Sequence, residues 1–178
     1  MYLLLAALVS SYAGTLAGVT MPDTATSGAG TPLVLNGMGL REKFFFDIYV
    51  GGLYLPTKTS DAKAIIEQDV PKRVVMHFTY GKVTRDQLLE SFDEAFAKMA
   101  GASALKAQID QLKGAIEGDV VAGDIITLDY VPGAGTTLTF KGKKKVTIAG
   151  AEFMRLLWAV YVGPNPPTEA FKRGLLGQ

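Results

Sequence analysis

The chain has no cysteine and a single histidine, His77. Without thiols there is no disulfide, no thiol nucleophile, no Cys-ligated zinc and no iron–sulfur cluster. One imidazole cannot build a multi-histidine metal site, and no cofactor is expected. Charge of one sign is also lacking: 18 Lys and Arg face 17 Asp and Glu, for a formal net charge of +1. Polyanion binding needs many clustered cations. The single basic run, Lys141 to Lys145, reads as a solvated hairpin turn, so no nucleic acid partner is expected. No Gly-x-Ser-x-Gly surrounds any serine, which removes the usual serine-hydrolase site. Gly37-Met38-Gly39 precedes a strand pattern and not a helix, so it is no dinucleotide loop. His77 alternates outward on a strand pattern, and no second motif element supports it as a base.

What is present has a globular balance. Apolar residues make up 48% and charged residues 20% of 178 positions, which suits one domain with a sizeable core. Residues 1–20 carry no charged side chain. Leu3 to Val9 is an unbroken apolar run, too short to span a bilayer. Ser11-Tyr12-Ala13 and Thr15-Leu16-Ala17 each place small residues at the −3 and −1 positions of a cleavage site. The segment 1–17 reads as a signal peptide and 18–178 as the exported domain, with its N-terminus near Gly18 or, for the earlier site, Gly14. The expected location is periplasmic or secreted, with no transmembrane span in the mature chain.

Periodicity supplies strands, then helices, then strands. Met21 to Pro32 reads as an extended lead-in and Leu33 as a strand start. Asn36-Gly37-Met38-Gly39 carries hairpin-turn chemistry. Leu40 to Leu55 reads as one long strand. It places Arg41, Lys43, Phe45, Asp47, Tyr49, Gly51 and Leu53 on one face, and it separates Glu42 from Asp47. Arg73 to Tyr80 is a further strand with Val74, Met76 and Phe78 on one side. Thr84-x-x-Gln87 is a capping box opening a helix. A second helix is expected over Ser103 to Glu117. Ile125 to Val131, Thr136 to Phe140 and Val146 to Ile148 are strands joined by tight turns. Gly150 to Val162 is helical and apolar almost all round, as in a buried helix, so Phe153 and Trp158 are assigned to the core. Thr168 caps a short last helix.

Arg41 stands out. An arginine directed into an apolar cleft is costly unless an anion or acceptor meets it, and a guanidinium can hold a carboxylate through two parallel hydrogen bonds. The alternative is an ordinary ion pair with Glu42, Asp47 or an acid on a neighbouring strand.

Three stretches resemble the chalcone isomerase-like superfamily, in its exported bacterial branch. They are Leu35-Asn36-Gly37-Met38-Gly39-Leu40-Arg41-Glu42-Lys43 continuing into Asp47-Ile48-Tyr49-Val50-Gly51-Gly52-Leu53-Tyr54-Leu55; Lys82-Val83-Thr84 opening a helix after a strand; and Phe153 through Gly163, followed by Pro167-Thr168 and Leu175-Leu176-Gly177. The resemblance implies an α+β fold, an open-faced β-sandwich in which a large curved antiparallel sheet packs against a layer of helices, with a ligand cleft between. It also implies site residues. Arg41 aligns with an arginine shared by the plant isomerases and the plant fatty-acid-binding members. Tyr49 aligns with the tyrosine that, in the fatty-acid-binding members, meets the lipid carboxylate; the plant isomerases have threonine there. The stretch from Arg41 to Tyr49 is about four residues shorter than in the plant proteins. The tyrosine and asparagine that the isomerases use near the helix start are absent from Val83-Thr84-Arg85-Asp86 and Leu89-Glu90-Ser91, and a late-helix threonine is replaced by Val160.

Three readings follow. In the first, the protein is a non-catalytic exported binder of a small apolar anion, a fatty acid or a phenolic anion, held by Arg41 and Tyr49. In the second, it is an intramolecular lyase of the chalcone-to-flavanone type. In the third, it is an envelope accessory protein acting through a partner surface, with Arg41 structural. An arginine alone can polarise a carbonyl but does not supply the fixed geometry that efficient cyclisation needs, which favours the first.

Overall fold

In the computed structural model, which describes residues 12–178, the period-two segments assemble into a seven-stranded antiparallel sheet of order β11-β10-β9-β6-β5-β4-β3. The apolar run Leu3 to Val9, and Ser11 with it, lie outside the described residues. Tyr12–Leu16 forms β1 and pairs with β2 (Val19–Pro22) in a separate hairpin. The sheet strands are β3 (Thr24–Thr26), β4 (Pro32–Lys43), β5 (Phe46–Leu55), β6 (Lys72–Phe78), β9 (Ile125–Val131), β10 (Gly135–Phe140) and β11 (Lys143–Ile148); β7 (Lys82–Val83) and β8 (Val120–Val121) form a small clip. The helices are α1 (Ala62–Glu67), α2 (Arg85–Ala97), α3 (Lys106–Gly114), α4 (Ala151–Val162) and α5 (Glu169–Leu175). This is the expected α+β arrangement of a curved sheet under a helix layer.

The main core lies between sheet and helices. Alternation in β6 turns Val74, Met76 and Phe78 inward with Leu53, Leu128 and Leu138. Against them packs α4, whose Phe153, Leu157 and Trp158 are fully buried. A smaller cluster on the other sheet face joins Val19, Met21, Leu33, Leu35, Val50 and Tyr54, so the β1–β2 hairpin covers part of that face.

Two sequence expectations fail at β4 and β5. Residues 36–39 are not a turn but lie inside β4, at a bulge between Leu35 and Gly37. The turn is Phe44-Phe45, at φ 51° and 67°. Two central residues with positive φ make a hairpin turn of the type that matches strand twist, usually built from Asn-Gly. Leu40 to Leu55 is therefore two strands, and Glu42 and Asp47, expected on opposite faces, are direct cross-strand partners. The glycines serve tertiary packing instead. A Cβ on Gly37 would run into the Gly174 carbonyl, and one on Gly39 into the Phe171 carbonyl, so α5 lies backbone-to-backbone on β4. Asn36 completes the junction: its Nδ2 donates to the Leu175 carbonyl (2.8 Å) and its Oδ1 accepts from the Thr59 amide (2.8 Å).

The helix expected over Ser103 to Glu117 opens instead as a 3-10 turn, Ala102–Leu105, and α3 stops at Gly114, consistent with the low helix propensity of glycine. Helix α1 has no counterpart among the sequence expectations. It is one and a half turns long, too short for a periodic signal.

Candidate functional site

The β4–β5 hairpin, the end of β6, helix α2 and the α4–α5 connection enclose a cleft of about 480 Å³, within the roughly 300–1,000 Å³ range of small-molecule sites. Met76 and Phe78 come from β6, Leu88 and Phe92 from α2, and Val160 and Tyr161 from α4. Each is on the inward stripe of its element, so the walls are the core itself, left unfilled at one end.

Arg41 and Tyr49 both line this cleft and face each other across β4 and β5. A second register shift, between Arg41 and Glu42, sets this pairing. Glu42 pairs with Asp47 and Arg41 with Tyr49, so Ile48 is the extra residue. A regular ladder would have put Arg41 opposite Ile48. Bulges of this kind re-aim a side chain, and here the extra residue is secured because the Ile48 carbonyl accepts from the amides of Thr79 (3.0 Å) and Tyr80 (3.2 Å).

Arg41 is half-buried as a residue, and its guanidinium reaches the exposed side of the cleft. Among the described residues its one hydrogen bond runs from Nη1 to the Glu42 carbonyl. No ion pair found there includes it, so the expected alternative of a bridge to Glu42 or Asp47 is not seen. Most of its donors are thus open to a ligand. The Tyr49 ring is 9% exposed and packs against Phe78 (5.4 Å) and edge-on against Phe171 (5.6 Å). Burial pushes its pKa up to about 12, opposed by the nearby Arg41 cation. At neutral pH the hydroxyl therefore keeps its proton and can donate it to an acceptor beside the guanidinium.

Tyr161, on the nearly all-apolar helix α4, also reaches the cleft. Its hydroxyl lies 3.7 Å from the Met76 sulfur, and burial, then the neighbouring Tyr49, raises its pKa far above the ordinary value. No local signal marked it, because α4 is apolar on nearly every side. Phe45, expected beside Arg41, is instead fully exposed at the turn, and Leu53 is buried in the core outside the cleft lining.

The positions where the isomerase pattern has polar groups are otherwise engaged. Thr84 caps α2, accepting from the Gln87 amide (3.2 Å). Arg85 turns away to the Ile116 carbonyl (2.7 Å). Ser91 does line the cleft, but its hydroxyl donates to the Gln87 carbonyl one turn back (2.9 Å). Val160 presents methyl groups. The acids of the cleft, Glu90 and Glu94, lie on α2, and Glu94 meets Lys43 at 4.0 Å. Besides Arg41 the lining holds Lys43, Lys82 and Lys98, of which Lys43 and Lys82 already meet Glu94 and Asp119, so the arrangement offers an anion a guanidinium beside the Tyr49 phenol at the apolar floor of a cleft with a charged rim.

The sequence matches the chalcone isomerase-like family model over residues 13–177. No curated protein matches it. Among solved structures, the crystal structure of a fatty-acid binding protein from Arabidopsis thaliana is similar with a TM-score of 0.71 at 17% identity, over 89% of this chain and 92% of that one. At that identity the likeness is one of fold. The family match runs through every strand of the sheet and every helix around the cleft, and the chain belongs to the chalcone isomerase-like family.

Proposed function

We propose that this protein is an exported, non-catalytic binder of a small apolar anion of the fatty-acid class. The observation that carries the reading is Arg41, which has no carboxylate partner among the described residues and lies opposite a protonated Tyr49 at an apolar cleft. A carboxylate there would take charge-assisted hydrogen bonds from the guanidinium and one from the phenol, while its chain displaces water from the Met76, Phe78 and Phe92 walls. The fatty-acid binding named for the Arabidopsis structure of the same fold supports this ligand class. The engaged or missing polar groups around Thr84, Ser91 and Val160 weigh against isomerisation.

Titration of a long-chain fatty acid into wild type, Arg41→Ala and Tyr49→Phe tests the reading. Loss of the guanidinium should weaken binding by about 2–4 kcal/mol, because the ligand charge stays buried and unpaired. Tyr49→Phe should lose about 0.5–1.5 kcal/mol, as for one hydrogen bond. Equal affinity in all three would overturn the clamp and bring forward action through a partner surface.

Export is part of the proposal. Residues 14–16 belong to the hairpin that packs over β4, where a Cβ on Gly14 would lie 3.3 Å from the Met38 sulfur, so cleavage after Ala13 would keep the part of β1 that cleavage after Ala17 removes. N-terminal sequencing of the protein from host cells should begin at Gly14. An intact Met1 on soluble protein would refute export.

A further inference from the structure

The exposed large hydrophobic residues of the described chain gather at one end of the sheet. They are Phe44, Phe45 and Phe46 at the β4–β5 turn, with Val121 and Ile125 across the end where β6 stops and β9 begins. The turn dominates: Phe44 is 79%, Phe45 101% and Phe46 54% exposed. The backbone there gains nothing from phenylalanine. Phe44 and Phe45 both sit at positive φ, where an L residue with a Cβ is strained and Asn-Gly would be relaxed. Local preference and solvation therefore both argue against the residues present, and such conflicts are expected at functional positions.

We infer that the Phe44-Phe45-Phe46 tip is a membrane-docking element that inserts its rings into the interface of a lipid bilayer. Three observations select a bilayer. The tip is a two-residue turn that exposes roughly 350–600 Å² of aromatic surface, short of the about 800 Å² per partner that a stable protein interface buries; a headgroup layer demands no matching surface. Phe44 and Phe46 also line the mouth of the Arg41 cleft, so an inserted tip brings that mouth to the lipid. Phe46 is steadied against Tyr80 (5.3 Å between ring centres), while Phe45 has no packing to give up. The flanking charges are mixed. Glu42 and Asp47 face each other beneath the tip, Lys43 meets Glu94 at 4.0 Å, and at the same end Lys82 pairs with Asp119 (2.9 Å) and Lys141 with Asp124 (2.7 Å), while Lys98 at the cleft has no ion pair among the described residues. Attraction is therefore apolar, and binding should need neither anionic lipid nor low salt. That the inserted tip delivers or collects a fatty acid rests on the binding function proposed above; the docking itself does not.

The experiment is vesicle flotation of the full protein with phosphatidylcholine, with and without phosphatidylserine, at low and high salt, beside fatty-acid titration of the same samples. Wild type should float on both compositions at both salts. The double variant Phe44→Asn, Phe45→Gly should lose about tenfold or more in partitioning while remaining folded, and Phe45→Gly alone, at a residue outside the cleft lining, should lose part of that partitioning while retaining fatty-acid affinity. Phe45→Trp should float, with its added emission shifted to the blue on vesicles. Arg41→Ala should float like wild type. Fatty-acid binding without flotation by wild type would overturn docking and leave the clamp standing. Flotation without fatty-acid binding would overturn the clamp and leave docking standing. Flotation confined to anionic vesicles at low salt, and kept by the double variant, would assign lipid contact to the lysines and overturn the tip. Self-association that the double variant abolishes, with no flotation, would make the tip a contact between copies and overturn it equally.

Discussion

Replacing Phe44-Phe45 with Asn-Gly should stabilise the protein, although it deletes two aromatic rings. Each L residue held at left-handed φ costs about 1–2 kcal/mol, so the pair at 51° and 67° stores about 2–4 kcal/mol that Asn-Gly releases. Against this, glycine adds about 0.5–1 kcal/mol of unfolded-chain entropy. Removing Phe44 also forfeits its ring beneath the Lys43 ammonium (5.8 Å), worth about 0.5–1 kcal/mol at an exposed site. Burial contributes little to the loss, since neither ring is packed. The net gain is about 1–2 kcal/mol, or a melting temperature higher by about 2–8 °C for a domain of this size. Calorimetry and urea unfolding both report it, with the urea midpoint moving and the slope unchanged. Phe45→Gly alone should recover much of the gain, because it leaves the Lys43–Phe44 contact intact. A melting temperature equal to or below wild type in both variants would refute the strain argument, and with it the idea that the tip is held against the local preference of the chain.

Gly39→Ala should destabilise by about 1–3 kcal/mol or more, because its Cβ meets the Phe171 carbonyl; urea midpoints check it. Asn36→Ala should cost about 2–5 kcal/mol, as it strands the Leu175 carbonyl and the Thr59 amide together, and the same assay applies. Stability should peak near pH 10. Burial lowers Lys72 from 10.5 to about 8, so the unfolded chain binds more protons between those values and stability rises with pH through that window. Tyr49, Tyr54 and Tyr130 are held up at about 12 against 10, so the folded state keeps protons that the unfolded chain sheds, and stability falls as pH rises past 10. Lys72→Met should flatten the rising limb, and a monotonic fall from pH 8 in wild type would contradict the assignment.

Much of this architecture could be read from the sequence because local and tertiary demands agree. Thr84 and Gln87 form both halves of the capping box, Thr168 caps α5 as expected, and the alternation of Val74, Met76 and Phe78 points where β6 points. The β4–β5 region departs from its local pattern because those demands disagree. Asn36-Gly37 carries the strongest turn signal in the region, yet tertiary packing uses it to receive α5. Phe44-Phe45 carries no turn signal, yet the chain reverses there. Arg41 and Tyr49 were still brought to one face, but by another route. Alternation along a single strand would do it, whereas the protein uses a hairpin and the bulge at Ile48. The relation of Tyr161 and the α2 wall to the cleft depends on packing between distant elements, which no local pattern encodes.

The glycines of β4 also tie the fold to the site. Gly37 and Gly39 let α5 descend until its backbone touches the strand, and Asn36 fastens its last turn through Leu175. That descent brings the Phe171 ring against Gly51 and edge-on to Tyr49. Phe78 closes on Tyr49 from β6, leaving the phenol little room to rotate. Preorganised polar groups bind more tightly because less freedom is lost on association. The run from Leu35 to Arg41 thus carries the packing clasp at one end and the cation at the other. A bulky residue at Gly37 or Gly39 would lift α5 and withdraw Phe171. It would then loosen Tyr49 beside Arg41, weakening the proposed anion clamp without touching either of its side chains.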